Sequence, residues 1–303
     1  MAVPQVSIVI PAYNSGPLLR DTLAGIRSQT FQNFEIIVVD DGSTDDTQQI
    51  VTSTAPAVRF YRQSNQGPAA ARNRGVSLAL GEYIAFCDHD DIWNERHLET
   101  LLAVFLKNAS TAMAFDNAIH CSIEALDGVP HNLPGHEKTL VGGPVTIKQV
   151  WQCCVASMSV VMVRKRIFDK LGGLHPKIWG LDDLHFYLRL ASQYTVRFVD
   201  YDGCRKRITG KNLLPMVGLE GQVKCLEDIR AHHPEVVRAI GEFRYRLRLA
   251  RKYRKLARRC SSLDQQSTAS RYYWQAYRLN FLNVALLKQL WLASRTGPTA
   301  TRL

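Results

Sequence analysis

A chain of 303 residues that is 46% hydrophobic and 21% charged can bury a sizeable core, which excludes a disordered or fibrous protein. Its formal charge of +11 is concentrated at one end: residues 236–303 hold fifteen Lys and Arg against Glu242 and Asp264, and the preceding body is close to neutral. Seven cysteines without a Cys-x-x-Cys pair point to reduced thiols in a cytoplasmic protein.

No apolar run of about eighteen residues is available to span a bilayer. No signal peptide is expected either, because residues 1–5 contain no basic side chain. Residues 6–10, Val-Ser-Ile-Val-Ile, read as a buried strand stopped by Pro11 and the turn residues Asn14-Ser15-Gly16-Pro17. Leu18, Leu19, Leu23 and Ile26 then repeat with a helical period over 18–29. Residues 34–39 form a second predicted strand, running into Asp40-Asp41-Gly42-Ser43-Thr44-Asp45-Asp46. There Gly42 permits a turn, Ser43 or Thr44 can cap a helix, and Asp45 and Asp46 suit the positive end of its dipole. A third strand at 58–61, a helix at 69–80 and a fourth strand at 83–87 continue the alternation. That order predicts an α/β fold, a parallel sheet with helices on both faces.

The fourth strand is apolar until it meets Asp88-His89-Asp90-Asp91. Clustered carboxylates repel and resist burial unless positive charge lies among them. A buried strand that delivers Asp88 and Asp90 to the rim of the sheet, where a divalent cation can bind, satisfies both demands. Ligands of open α/β sheets bind at that carboxyl edge. A solvated acidic turn is the alternative for one such run. Asp40-Asp41 is placed at the same edge, however, and two converging acidic ends indicate a cationic ligand or an anionic one bridged by metal. Strand alternation turns His89 away from Asp88 and Asp90. Neither Gly-x-x-x-x-Gly-Lys nor Gly-x-Gly-x-x-Gly occurs, so no P-loop or dinucleotide fingerprint explains the cleft.

Four segments together resemble family 2 inverting glycosyltransferases: Val-Ser-Ile-Val-Ile-Pro-Ala-Tyr-Asn at 6–14, Val-Val-Asp-Asp-Gly-Ser-Thr-Asp-Asp-Thr at 38–47, Asn65-Gln66-Gly67 with Ala71-Arg72-Asn73-Arg74-Gly75, and Phe86-Cys87-Asp88-His89-Asp90-Asp91. The resemblance implies a GT-A fold, a nucleotide-sugar donor and Mg2+ or Mn2+ as cofactor. It also implies a carbohydrate or glycolipid acceptor, in surface polysaccharide or glycoconjugate synthesis. Carried onto this chain, it makes Asp90, with Asp88, the cation ligand, and gives Asp88 a reach to the ribose. Pro11, Ala12, Tyr13 and Asp41 would line the nucleotide: Tyr13 by stacking and Asp41 by accepting an N–H, which favours uracil, thymine or guanine. Arg72 is a candidate phosphate contact, with a helix-surface arginine as the alternative.

Further on, a helix at 97–106, strands at 112–119 and 155–163 and a turn-rich stretch at 125–144 precede Gly172-Gly173-Leu174. Asp182-Asp183 then opens a helix containing Leu188-Arg189-Leu190, where acids at the first turn are stabilising in any case. The family resemblance makes the second acid, Asp183, the general base beside Asp182. After a strand at 196–199 the family often carries a histidine; Thr209 stands there, leaving Arg207 and Lys211 to neutralise phosphate.

The expected domains are a catalytic unit over 1–215 and a basic helical appendage over 216–303. In the appendage, 236–259 is a two-sided helix with apolar positions 236, 240, 243, 247, 250 and 257 and a basic stripe of Arg244, Arg248, Arg251, Lys255 and Arg258. A second helix is expected over 272–293. The basic face is solvated, joins an oligomer or lies on an anionic membrane surface, which would put the protein at the inner face of the cell membrane. Basic residues at the tail and acids at the sheet edge argue against a nucleic-acid partner. A phosphohydrolase using the same carboxylates, or a module that binds a nucleotide sugar or polyanion without reaction, is the alternative to the transferase.

Overall fold

The computed structural model describes residues 3–54, 57–122, 140, 142–153, 156–178, 180–208 and 218–280. By compactness the chain divides into Met1–Leu213 and Leu214–Leu303.

Every residue of β1, Val6–Ala12, is buried, as expected of a strand covered on both faces. It pairs in parallel with β2, Phe34–Asp40, and with β4, Tyr83–Phe86, while β3, Arg59–Arg62, extends the sheet beyond β2. The crossovers are α1 (Gly16–Arg27), α2 (Thr47–Thr54) and α3 (Pro68–Leu78). Parallel pairing puts the carboxyl ends of β1, β2 and β4 on one edge, so Ala12 lies opposite Asp40 and the acidic run follows β4 there. Gly75 lets α3 lie flat on β1: a Cβ at that position would come within 2.3 Å of Val9 Cγ1. The glycine that costs helix propensity therefore sets the height of α3 above the sheet.

Beyond β4 the sheet changes character. Short β5 (Ile92–Trp93) is followed by α4 (His97–Lys107), β6 (Thr111–Ser122), β7 (Gly143–Val145) and α5 (Ile147–Cys153). Then come β8 (Val161–Arg164), α6 (Lys165–Lys170), α7 (Asp182–Ala191) and β9 (Thr195–Ile208). The order among described residues is β3-β2-β1-β4-β8-β6-β9-β5, with β7 on β9. β8 runs antiparallel between β4 and β6, and β6 and β9 are parallel. The strand expected at 155–163 is shorter than its apolar pattern. Met158–Val160 is a 3-10 turn, and only Val161–Arg164 pairs in the sheet.

The second unit holds α8 (Leu219–His232), α9 (Pro234–Ile240), α10 (Glu242–Ser262) and α11 (Gln266–Leu279). The helix expected at 236–259 is broken at Gly241, whose φ of 99° an L-side chain rarely adopts. The break resets the phase, so α10 buries Tyr245, Leu249, Tyr253 and Leu256 and leaves Phe243 exposed. Of the expected basic stripe, Arg244, Arg251, Lys255 and Arg258 are exposed. The outer part of the helix expected at 272–293 lies outside the described residues. Among the described residues no helix is long and apolar enough to cross a membrane.

Candidate active site

The β2 end is knit to the start of α3. Asp41 is buried; its Oδ1 accepts from Gln63 Nε2 at 2.8 Å and Gln66 N at 2.9 Å, and its Oδ2 from Gly67 N at 2.7 Å. Gly67 makes this possible with a φ of 88° at the helix cap. Oδ2 keeps one lone pair after that bond. Pro11 and Ala12 close β1 at the same edge, and Tyr13 follows them with 46% of its surface exposed.

One turn into α3 stands Arg72, expected as a phosphate contact or a surface residue. It is instead a buried bridge: Nη2 lies 2.6 Å from Asp88 Oδ1 and Nη1 3.3 Å from Asp182 Oδ2. The acid after β4 and the acid opening α7 therefore meet at one guanidinium. The next residue on α3, Asn73, holds the approach to α7, since its Nδ2 donates to Leu174 O at 2.8 Å and its Oδ1 accepts from Leu174 N at 2.9 Å. From α7 itself, Arg189 donates to the carbonyls of Leu171 and Gly173. The Gly-Gly-Leu turn and the Leu-Arg-Leu helix thus work as one clamp that aims the Asp182-Asp183 pair.

The two acids of that pair differ. Burial raises the Asp182 carboxyl, and the Arg72 charge opposes the rise. Asp183 is half-buried, with its Oδ1 accepting from Leu184 N at 2.6 Å. Burial first, and the charge of Asp182 second, push Asp183 up to about 7.

The acidic run divides in the same way. Burial would raise Asp88, but the charges of Arg72 and Lys206 outweigh it and hold the carboxyl well below the usual range. Asp91 is fully buried and accepts from Ser159 Oγ at 2.6 Å, Lys206 Nζ at 3.0 Å and Arg207 N at 3.3 Å. Burial pushes Asp91 up to about 6. Ser159 Oγ also takes the backbone N–H of Asp88 at 2.9 Å, so the 3-10 turn before β8 serves as a brace for the run. Asp90 is half-buried, and among the described residues none donates to its carboxylate. Its neighbour His89 turns to the carbonyl of Pro11 at 3.3 Å.

Arg207, expected at phosphate, is buried and engaged elsewhere. Its guanidinium reaches Asp21 Oδ2 at 2.9 Å, Leu18 O at 2.7 Å and the carbonyl of Asp90, tying α1 to the acidic run. The basic residue that does face the acids is Lys206, one position earlier, which the expectations above leave out. Alternation along β9 carried the signal, because adjacent residues of a strand face opposite ways. Lys211 lies outside the described residues.

The sequence profile described as Glycosyl transferase family 2 matches residues 7–172. The chain belongs to glycosyl transferase family 2. The family 2 match runs from β1 through α6 and stops before α7, the helix carrying Asp182 and Asp183. An uncharacterized glycosyltransferase of Rickettsia felis is 30% identical over 211 residues, 68% of this chain and 33% of the relative. Glycosyltransferase GlyG of Streptococcus pneumoniae is 47% identical over 100 residues, 32% of this chain and 33% of that protein. These matches span about a third of each curated relative's length. Among solved structures, S. aureus TarS 1-349 in complex with UDP gives a TM-score of 0.67 at 17% identity, covering 95% of this chain and 90% of that one. The mannosyltransferase PcManGT of Pyrobaculum calidifontis, in complex with GDP-Man and Mn2+, gives 0.60 at 17% identity, covering 97% and 85%. At these identities the likeness speaks for the GT-A fold.

Proposed function

We propose that this family 2 member is an inverting glycosyltransferase that moves a sugar from a nucleoside-diphosphate sugar, with UDP as the favoured nucleotide, to an acceptor hydroxyl. The observation that carries the reading is α3. The N–H of its capping residue, Gly67, is held by Asp41, and its Arg72 joins Asp88 to Asp182. Three acids from distant parts of the chain are thereby tied to one helix at one sheet edge. A separate solvated turn for each would need no such link.

For the nucleotide, the exposed Tyr13 ring offers a stacking face, and the remaining lone pair of Asp41 Oδ2 offers an acceptor for an imide N–H. Uracil presents such a donor, and relatives of the same fold are described with UDP and UDP-GlcNAc. A divalent cation, Mg2+ or Mn2+, fits Asp90, a hard oxygen donor at the sheet edge without a described hydrogen-bond partner of its own. When bound, such an ion supplies positive charge against the departing nucleoside diphosphate.

The chain's own residues do the rest. Asp183, with its carboxyl near neutrality, takes the acceptor's proton as the acceptor oxygen bonds to the anomeric carbon and the sugar–phosphate bond breaks. One attack from the face opposite the leaving group inverts the centre. Asp182, paired with Arg72, stands beside Asp183, and its charge adds to burial in raising the Asp183 carboxyl. The exposed arginines of α10, with Phe243 68% exposed, support work at an anionic lipid surface.

The test is a panel of nucleotide sugars incubated with the protein, Mn2+ and candidate acceptors, with release of nucleotide as readout. Acceptor-dependent release from a UDP-sugar is expected. Release of free sugar at a rate indifferent to acceptor would replace transfer by hydrolysis.

A further inference from the structure

Lys206 reaches the acidic run from β9. Its Nζ lies 3.4 Å from Asp88 Oδ2, 3.0 Å from Asp91 Oδ2 and 3.1 Å from Ser157 Oγ. An ammonium has three N–H bonds to donate, and these partners account for all three. Asp88 Oδ1 is meanwhile 2.6 Å from Arg72. Each oxygen of Asp88 therefore faces a full positive charge supplied by the chain. Asp90, two residues on, faces none among the described residues.

The placement of Lys206 is enforced by the sheet. β9 is paired on one side with β5, Arg205 opposite Ile92, and on the other with β6, Arg207 opposite Cys121. Arg207, itself buried, is fastened to the exposed Asp21 and to the carbonyls of Leu18 and Asp90, so the strand cannot slide to withdraw its neighbour without leaving a buried guanidinium short of its acceptors.

We propose that Lys206 is a positioning residue that keeps the Asp88 carboxylate out of cation ligation, so that a divalent ion meets Asp90 as its acid in this run while Asp88 and Asp91 remain a fixed frame. The inference deepens the transferase reading and rests on its placement of the ion at Asp90. A dication drawn to Asp88 would have to displace an ammonium already satisfied by three oxygens, and like charges at such distances repel strongly in a partly buried site.

The test is Mn2+ binding to the full chain without nucleotide, followed by the paramagnetic resonance of free Mn2+. Lys206→Arg, which keeps the charge, is expected to bind within about twofold of the unaltered protein. Lys206→Met and Lys206→Gln expose two acids to the ion and are expected to bind Mn2+ about tenfold more tightly. A purely structural lysine would leave the affinity unchanged or lower it. Thermal melts report folding. Lys206→Gln retains an amide donor for Asp91 or Ser157, so it stands in if the Met variant fails to fold. Unchanged or weaker Mn2+ binding by either folded variant overturns the role of Lys206. Asp90→Asn is measured alongside: undiminished Mn2+ affinity there would remove the underlying ion placement instead, whatever the Lys206 variants do.

Discussion

At the end of β2, Asp40 and Asp41 accept hydrogen bonds from Ser43, Gln63, Gln66 and Gly67, all from the loops and helix cap that follow. At the end of β4, Asp88 and Asp91 are matched by Arg72 and Lys206 from remote elements, and Asp90 is left without a described donor. The two ends carry similar acidic strings on the same sheet edge, yet the first is closed mainly by neutral donors of neighbouring loops, with Arg62 3.5 Å from Asp40 Oδ2 as an ion pair, and the second by charge from remote elements. Local donors make an acid part of the scaffold. Imported charge holds some acids in place and leaves one between them without a described donor.

Removing the imported charge is the harshest way to break this contrast. Arg72→Met leaves Asp88 and Asp182 buried without their shared cation, and is expected to cost about 3–5 kcal/mol of stability in urea unfolding, along with all turnover. A loss below about 1 kcal/mol would mean that the bridge is incidental. Asp183→Asn removes the proposed base and nothing of the frame. We expect kcat/KM to fall about 10³-fold with UDP affinity preserved in calorimetry. Asp90→Asn should lower turnover about 10²-fold with the melting temperature unchanged. Its counterpart at the closed end, Asp41→Asn, should by contrast cost about 1–3 kcal/mol of stability through mismatched buried N–H groups, besides weakening UDP binding. If both variants lose stability alike, the two ends do not differ.

The gentlest probe is pH. With the Asp183 carboxyl at about 7, the proposed base is protonated and idle below that value. As pH falls, kcat/KM should therefore drop about tenfold per unit below 7 and level off above it. Asp183→Asn should lack this limb. For folding the sign is opposite. A carboxyl raised above its ordinary value binds its proton more tightly in the folded state, so its contribution to stability declines as pH rises from about 4 to 7.

Much of this protein is legible from local pattern. The apolar runs at 6–10, 34–39 and 83–87 could become only covered strands, and their acidic ends had to share an edge once the helices between them made the strands parallel. The positions of Asp41 and Asp90 just past strand ends and of Asp183 at a helix start are legible in the same way. Arg207 and Lys206 show where pattern stops: both are basic neighbours in one string, and only the pairing of β9 decides which meets the acids and which binds Asp21. Gly241 is a similar case, since one positive φ rephased α10 and exchanged Phe243 for Tyr245 in the buried face.

Periodicity, turn residues and helix caps act over a few residues, and for that reason the sequence by itself determined the strands, their order along the chain and the family to which they belong. The partnership of Arg72 with Asp88 and Asp182, and of Lys206 with Asp88 and Asp91, joins residues up to 118 apart. Charge compensation at that range depends on sheet register and helix height, which exist only once the core has packed, and so only packing settles which acids of the run are paired with basic side chains and which one is not.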